Sequence, residues 1–220
     1  MTTQRFFEKE LTALVNDILR LGSLVEEAVF NATQSFINQD EALAKQVIAN
    51  DDRIDALTDE IENHCIRLIA TLQPTARDLR VIVTGLKIIL NLERMGDHAS
   101  DIARAALNVC EVPRLSPSIS EAIVRIAQLV QQMLKDSLDA YARGDVSRAR
   151  SLSSADDEVD HLYNRIFRTI VENMEENPAN IRCGVYFLLV ALRLERIADR
   201  ATNIGEDVIY LVTGEWEALN

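Results

Sequence analysis

Glycine, proline and aromatic residues are scarce in this chain: 220 residues hold seven Gly, four Pro and only 5% aromatics. With few helix breakers and few strand-favouring rings, the remainder is rich in Ala, Leu, Ile, Arg and Glu, which favour helix over sheet. No stretch reaches the roughly 18 uninterrupted apolar residues that a membrane span needs. The opening "MTTQRFFEKELTAL" lacks a basic-then-apolar leader, so no export is expected. Cysteine is limited to Cys65, Cys110 and Cys183, an odd set without a CxxC pair, as expected of reduced thiols in a cytoplasmic protein. Positive charge is also short. A formal net charge of −12 speaks against nucleic acid as a partner, because that binding needs Lys and Arg on phosphates. It speaks equally against a bare anion such as free phosphate held in a basic pocket. It suits a cation, or docking on a basic surface of another protein.

What the chain does contain is helical periodicity, nearly throughout. Leu11, Leu14, Val15, Ile18, Leu21, Val25, Ala28 and Val29 form one apolar stripe. A second helix is expected after Asp40, a capping residue, running through Val47, Ile54, Leu57, Ile61, Cys65 and Leu68. Pro74 suits the first turn of a third helix, which continues to about Val109. The stretch "CEVPRLSPS" reads as a linker, and the plan then repeats. Helix four spans about Ser118 to Tyr141, Asp145 starts helix five, and Pro178 opens helix six. At a constant offset of 105 residues, "DDRIDALTDEI" from Asp51 aligns with "DDEVDHLYNRI" from Asp156. No segment alternates with period two. The expected fold is therefore all-α: two tandem three-helix bundles, residues 1–110 and 118–220, joined by a linker at 111–117.

The third helix of each half carries one phrase written twice, "LNLERMGDHASDI" from Leu90 and "LRLERIADRATNI" from Leu192, with seven of thirteen positions identical. Glu93 and Asp97, four apart, share a helical face, as do Glu195 and Asp199. Stepping back by turns, these acids continue rows that are apolar earlier in the same helices: Ile82, Leu86, Ile89 and Leu90, then Ile181, Val185, Leu188 and Leu192. In an antiparallel hairpin turning near residue 73, Asp55 falls level with about position 92 and Asp51 with about position 96. A turn near 177 sets Asp160 level with about 194 and Asp156 with about 198. Two acidic groups are thus expected: Asp51, Asp55, Glu93 and Asp97, with Asp101 added, and Asp156, Asp160, Glu195 and Asp199. Four like charges so close require protonation or a neutralising cation. All-oxygen donors suit Mg, Ca, Mn or iron better than Cu. The competing reading is a salt-bridge network in which Arg94, Arg196 and Arg200 pair with the acids across the hairpins.

Signals of catalysis are few. Glu158 and His161 make a single ExxH, whereas di-iron bundles need two from different helices. No Ser or Cys stands in a nucleophile arrangement, and no Gly-rich phosphate loop follows a strand. His64 and His98 read as structural or surface residues, and Trp216 as a cap on the last helix. No enzyme is expected from these residues.

The doubled phrase resembles the PhoU family, accessory regulators of phosphate-specific transport, whose E-R-x-G-D-H-A-x-N-I motif occurs twice, each time on the last helix of a three-helix repeat. "ERMGDHASDI", "ERIADRATNI" and the ending "GEDVIYLVTGE" carry the resemblance, which spans essentially the whole chain. It implies six helices with an internal pseudo-two-fold repeat, a cytoplasmic location at the inner face of the membrane, and a homodimer. It implies as partners the ATP-binding subunit of the phosphate transporter and the phosphate-sensing histidine kinase, with repression of the starvation response when phosphate is ample. It also implies iron, zinc or another divalent cation on Glu93, Asp97, Glu195 and Asp199. The chain departs from the motif at Asp101, Ala198 and Arg200, and Arg200 places a cation beside Asp199, favouring metal in the first group over the second. Rival expectations are a generic helical adapter and a metal-dependent carboxylate-bundle protein.

Overall fold

A computed structural model describes residues 3–109 and 117–219. Six long helices make the fold: α1 Thr3–Asn38, α2 Glu41–Leu72, α3 Ala76–Val109, α4 Pro117–Arg143, α5 Val146–Glu176 and α6 Ile181–Thr213. A single turn of 3₁₀ helix, Pro178–Asn180, leads into α6, so Pro178 opens that turn and not α6 itself. Pro74 likewise stands two residues before α3. Cys110 and, apart from Pro117, the expected linker lie outside the described residues. Among the described residues there is no strand, and no helix is long and apolar enough to cross a membrane.

The repeat is built into the corners. The Asp40 carboxylate accepts from Leu43 N and the Asp145 carboxylate from Arg148 N, each at 3.0 Å, so both caps satisfy a donor that the first helical turn leaves orphaned. The same residues end the preceding helices. Asp40 N donates to Ser35 O and Asp145 N to Ala140 O, both at 2.9 Å, which satisfies orphaned carbonyls at the ends of α1 and α4. Each corner turns on a left-handed residue, Gln39 at φ 56° and Gly144 at φ 62°; only the second is the residue that conformation favours.

α3 and α6 form the centre. α3 packs on α1, α2 and α6, α6 packs on α4, α5 and α3, and α1 also touches α4, while α2 and α5 stay on the outside of their own halves. One continuous core joins the halves, running through Leu14, Ile18, Leu21, Leu92, Met95, Ile102, Ile123, Val130, Leu194 and Ile204, all fully buried. Phe36 of α1 and Phe187 of α6 add an edge-to-face contact with ring centroids 4.8 Å apart. Gly22 lets α1 approach α4 closely, since a Cβ there would fall 2.7 Å from the Leu138 methyls. Fully burying one aliphatic side chain of this kind contributes about 2 kcal/mol, so the shared core is what holds the two halves together.

The two caps are 105 residues apart in sequence and share no partner. Asp40→Ala and Asp145→Ala should each lower stability by about 1 kcal/mol, and the double variant by about the sum. Urea denaturation of the three variants checks this.

Candidate functional site

The core rows of α3 and α6 are not the rows that bear the conserved-in-both-halves acids. On α3 the deep row is Ile88, Leu92, Met95, Ala99, Ile102 and Ala106; on α6 it includes Val190, Leu194, Ile197, Ala201 and Val208. The rows leading to the acids run along the margin. Leu90 is 58% exposed, and Ile181 and Val185 are exposed as well, whereas Ile82 and Ile89 are buried. The expectation that the acids prolong a core stripe is thereby corrected. The acids lie at the edge of α3 beside α2, and of α6 beside α5. This margin keeps Glu93, Asp97, Glu195 and Asp199 between core and solvent.

The hairpin register brings the aspartates of the outer helices against them. A Cβ added to Gly96 would lie 3.6 Å from Asp51 Oδ1 and 3.1 Å from Ile54 Cδ1, which puts Asp51 level with position 96 as the turn geometry predicts. The electrostatics report the same neighbours. Burial first, then the charge of Asp97, raises the Glu93 carboxyl above its ordinary range, with Asp55 and Asp51 adding to it. Asp55 is raised by burial and then by Asp51 and Asp97. In the second half burial pushes Asp156 up to about 6, helped by Asp199 and Asp160. Glu195 is raised by burial and then by Asp199, with Asp160 and Asp156 adding to it. Each set of four carboxylates therefore shares one electrostatic neighbourhood, and both sets resist full ionisation.

Arginine relieves part of this. The direct ion pairs of these acids form within α3 and α6. Across the first hairpin, burial raises Asp51 of α2 and the charge of Arg104 of α3 lowers it. Arg94 lies 3.4 Å from Glu93 and 3.1 Å from Asp97; Arg196 lies 3.5 Å from both Glu195 and Asp199. Arg200 holds Asp199 down only as a lesser influence, behind Arg196. Asp156 nevertheless stands at about 6, so Arg200 does not remove the frustration of the second group.

Asp101 does not join the first group. It reaches the other way, to Arg104 on its own helix and to Arg193 on α6, each at 3.0 Å. The single ExxH is dispersed too: Glu158 pairs with Arg125 of α4 at 3.1 Å, and His161 Nδ1 lies 2.6 Å from the Asp157 carbonyl. His64 meets Glu10 of α1 at 3.1 Å. His98 faces the α3–α6 interface, where burial and then the field of Arg193 lower it to about 4, keeping it neutral.

Two further features gave no signal in the sequence. Lys87 of α3 and the buried Asp207 of α6 form an ion pair at 3.4 Å, and Trp216 lies over the Lys87 ammonium at 3.7 Å while stacking on Tyr210 at 4.0 Å. Burial pushes Asp207 up to about 6 against the pull of Lys87. The tail is fastened further by Arg150 on Glu217 and by Leu219 N donating to Glu206. Trp216 thus contacts the cation of an ion pair, and the cap of α6 is Gly214.

A divalent cation can be tested against the donors present. Their chemistry fits, being all carboxylate oxygen, and Glu195 Oε2 is buried without a hydrogen-bond partner, with Arg196 Nε at 3.5 Å. In the present arrangement, with the arginines in place, no three His, Cys, Asp or Glu among the described residues converge closely enough to share an ion.

Comparison with known proteins agrees with this architecture. A family model described as the PhoU domain matches twice, over residues 18–106 and 123–208. The chain is 42% identical over 223 residues to the phosphate-specific transport system accessory protein PhoU homolog of Clostridium acetobutylicum, covering 99% of each. It is 39% identical over 208 residues to the homolog of Pseudomonas aeruginosa, covering 94% of this chain and 86% of that one. The crystal structure of PhoU from Pseudomonas aeruginosa superposes with a TM-score of 0.91 at 39% identity, covering 95% of this chain and all of that one. The phosphate transport system regulatory protein PhoU from Streptococcus pneumoniae superposes with a TM-score of 0.89 at 33% identity, covering 96% and 99%.

The raised Asp156 sets a pH dependence. Its folded pKa lies above the ordinary aspartate value, so the folded state binds the extra proton. Stability therefore rises as pH falls from neutral through about 6 and gains nothing more from this group below its unfolded value. In chelator-treated protein, Asp156→Asn should raise the melting temperature at pH 7.5 and flatten the gain between pH 7.5 and 5. Calorimetric melts across that range check it.

Proposed function

The chain belongs to the PhoU family, and from that premise we propose that it is an accessory regulator of a phosphate-specific transport system, with no catalysis of its own. The regulator docks on the ATP-binding subunit of the transporter and on the phosphate-sensing histidine kinase. When phosphate is ample it restrains uptake and represses the starvation response. It works as a homodimer in the cytoplasm and reaches the membrane through its partners.

One observation carries this reading: an under-neutralised set of four carboxylates, three partly buried and one exposed, occurs twice, once in each half. Such a surface gains most by meeting positive charge, and a net charge of −12 gives long-range attraction to a basic partner surface. Iron, zinc or another divalent cation is the second source of that charge. Glu93, Asp97, Asp51 and Asp55 would hold it in the first half, and Glu195, Asp199, Asp156 and Asp160 in the second. They would do so only by drawing closer than they stand with Arg94 and Arg196 in place. When bound, it would supply the positive charge that Arg94 and Arg196 now supply in part.

Elemental analysis of protein purified without chelator, beside pull-downs with the transporter ATPase and the sensor kinase, tests both parts. Glu93→Gln with Asp97→Asn should lower metal content and weaken capture of each partner by at least about tenfold. Wild-type protein that captures neither partner contradicts the regulatory reading. A variant that matches wild type in metal content and in capture reduces the first group to a structural role.

A further inference from the structure

The α3–α6 interface carries a cation–carboxylate contact towards each end, and the two are built differently. Lys87 pairs with Asp207 and rests its ammonium on the Trp216 ring. At the opposite end Asp101 stands between two guanidiniums, with Oδ1 3.0 Å from Arg104 Nη1 and Oδ2 3.0 Å from Arg193 Nη2. These residues line a groove of about 210 Å³ walled by Tyr186 and Asn108. That volume admits a small tetrahedral anion.

The bridge is not a requirement of helix packing. At the repeat offset of 102 that aligns the doubled phrase, Asp101 corresponds to Asn203, Arg104 to Glu206 and Arg193 to Asn91. The second half packs the same helices without the two arginines. Among the described residues each guanidinium meets Asp101 through one nitrogen, and its planar fork has the geometry that suits carboxylate and phosphate oxygens. Asp101 is thus an internal carboxylate placed where an external oxyanion would sit. The overall charge of −12 does not decide the field here, because at physiological salt the screening length is about 8 Å and the two guanidiniums set the local potential.

We propose that this groove is a receptor for a tetrahedral oxyanion, free phosphate or the phosphoryl group of a small molecule, held between Arg104 and Arg193 in competition with Asp101. The site stands independently of the transport reading. Binding releases Asp101 from the arginines, so affinity is set by how well the anion outcompetes a built-in carboxylate.

Isothermal titration of chelator-treated full-length protein at physiological ionic strength, with inorganic phosphate, tests it. Asp101→Asn should bind phosphate about tenfold more tightly than wild type, because the competing charge is gone. Adding Arg193→Gln or Arg104→Gln to Asp101→Asn should abolish that gain; the two alternatives guard against one of them failing to fold, as judged by circular dichroism. Sulfate should bind like phosphate and chloride should not. AMP binding more tightly than phosphate assigns the site to a phosphoryl group of a small molecule, and weaker binding assigns it to the free ion. No binding to Asp101→Asn, binding no tighter than wild type, or binding that survives both arginine changes overturns the proposal, as does chloride competing as well as sulfate.

Discussion

Carboxylates on neighbouring helices repel one another, and this fold holds them together all the same. The rows that lock α2 to α3 are apolar, with Ile54, Leu57 and Ile61 packing towards Leu92, Met95 and Ala99 in one core. That register cannot slide to separate the acids without tearing several fully buried side chains from their neighbours, each contributing about 2 kcal/mol. The acids on the margin are carried along. Their repulsion is expressed instead as raised carboxyl pKa values in both halves and as arginines drawn in from the next helical turn. A surface in this state is prepared for positive charge from outside, whether an ion or a partner.

Duplication explains why the feature occurs twice, and divergence explains where the halves part. The corners at Asp40 and Asp145 are nearly identical in hydrogen bonding, because a cap is a local device that each copy needs. The α3–α6 interface is different. It sits on the pseudo-two-fold axis, so each end combines residues from both copies and is free to change. One end became Lys87 with Asp207 and Trp216; the other became Asp101 with Arg104 and Arg193.

Sequence reading succeeded where the controlling physics is local or nearly so. Helix starts at Asp40 and Asp145, the absence of strands and the alignment of Asp51 with position 96 all follow from capping, periodicity and a hairpin's fixed geometry. It failed where the answer depends on a rotation or on distant packing. Counting turns back from Glu93 reaches Leu90 and Ile89 alike, yet one is 58% exposed and the other 1%, because the core boundary passes between them. Arg94 and Arg196 stand three residues before an acid of their own helix, a spacing that permits pairing there, and the structure pairs them so. Sequence alone did not choose this over pairing across the hairpin. Asp101 was grouped with its helix neighbours, since nothing in the chain announces that Arg193, ninety-odd residues on, lies beside it. Trp216 gave no hint of Lys87 for the same reason.

The melting temperature of chelator-stripped protein, followed as a divalent cation is added at constant ionic strength, bears most directly on the repulsion. If the cation relieves charge that the fold cannot otherwise disperse, the melting temperature climbs with the logarithm of free cation concentration beyond the binding range. A melting temperature that stays flat from the chelated state to millimolar-scale cation contradicts it, and leaves Arg94 and Arg196 as the whole of the neutralisation.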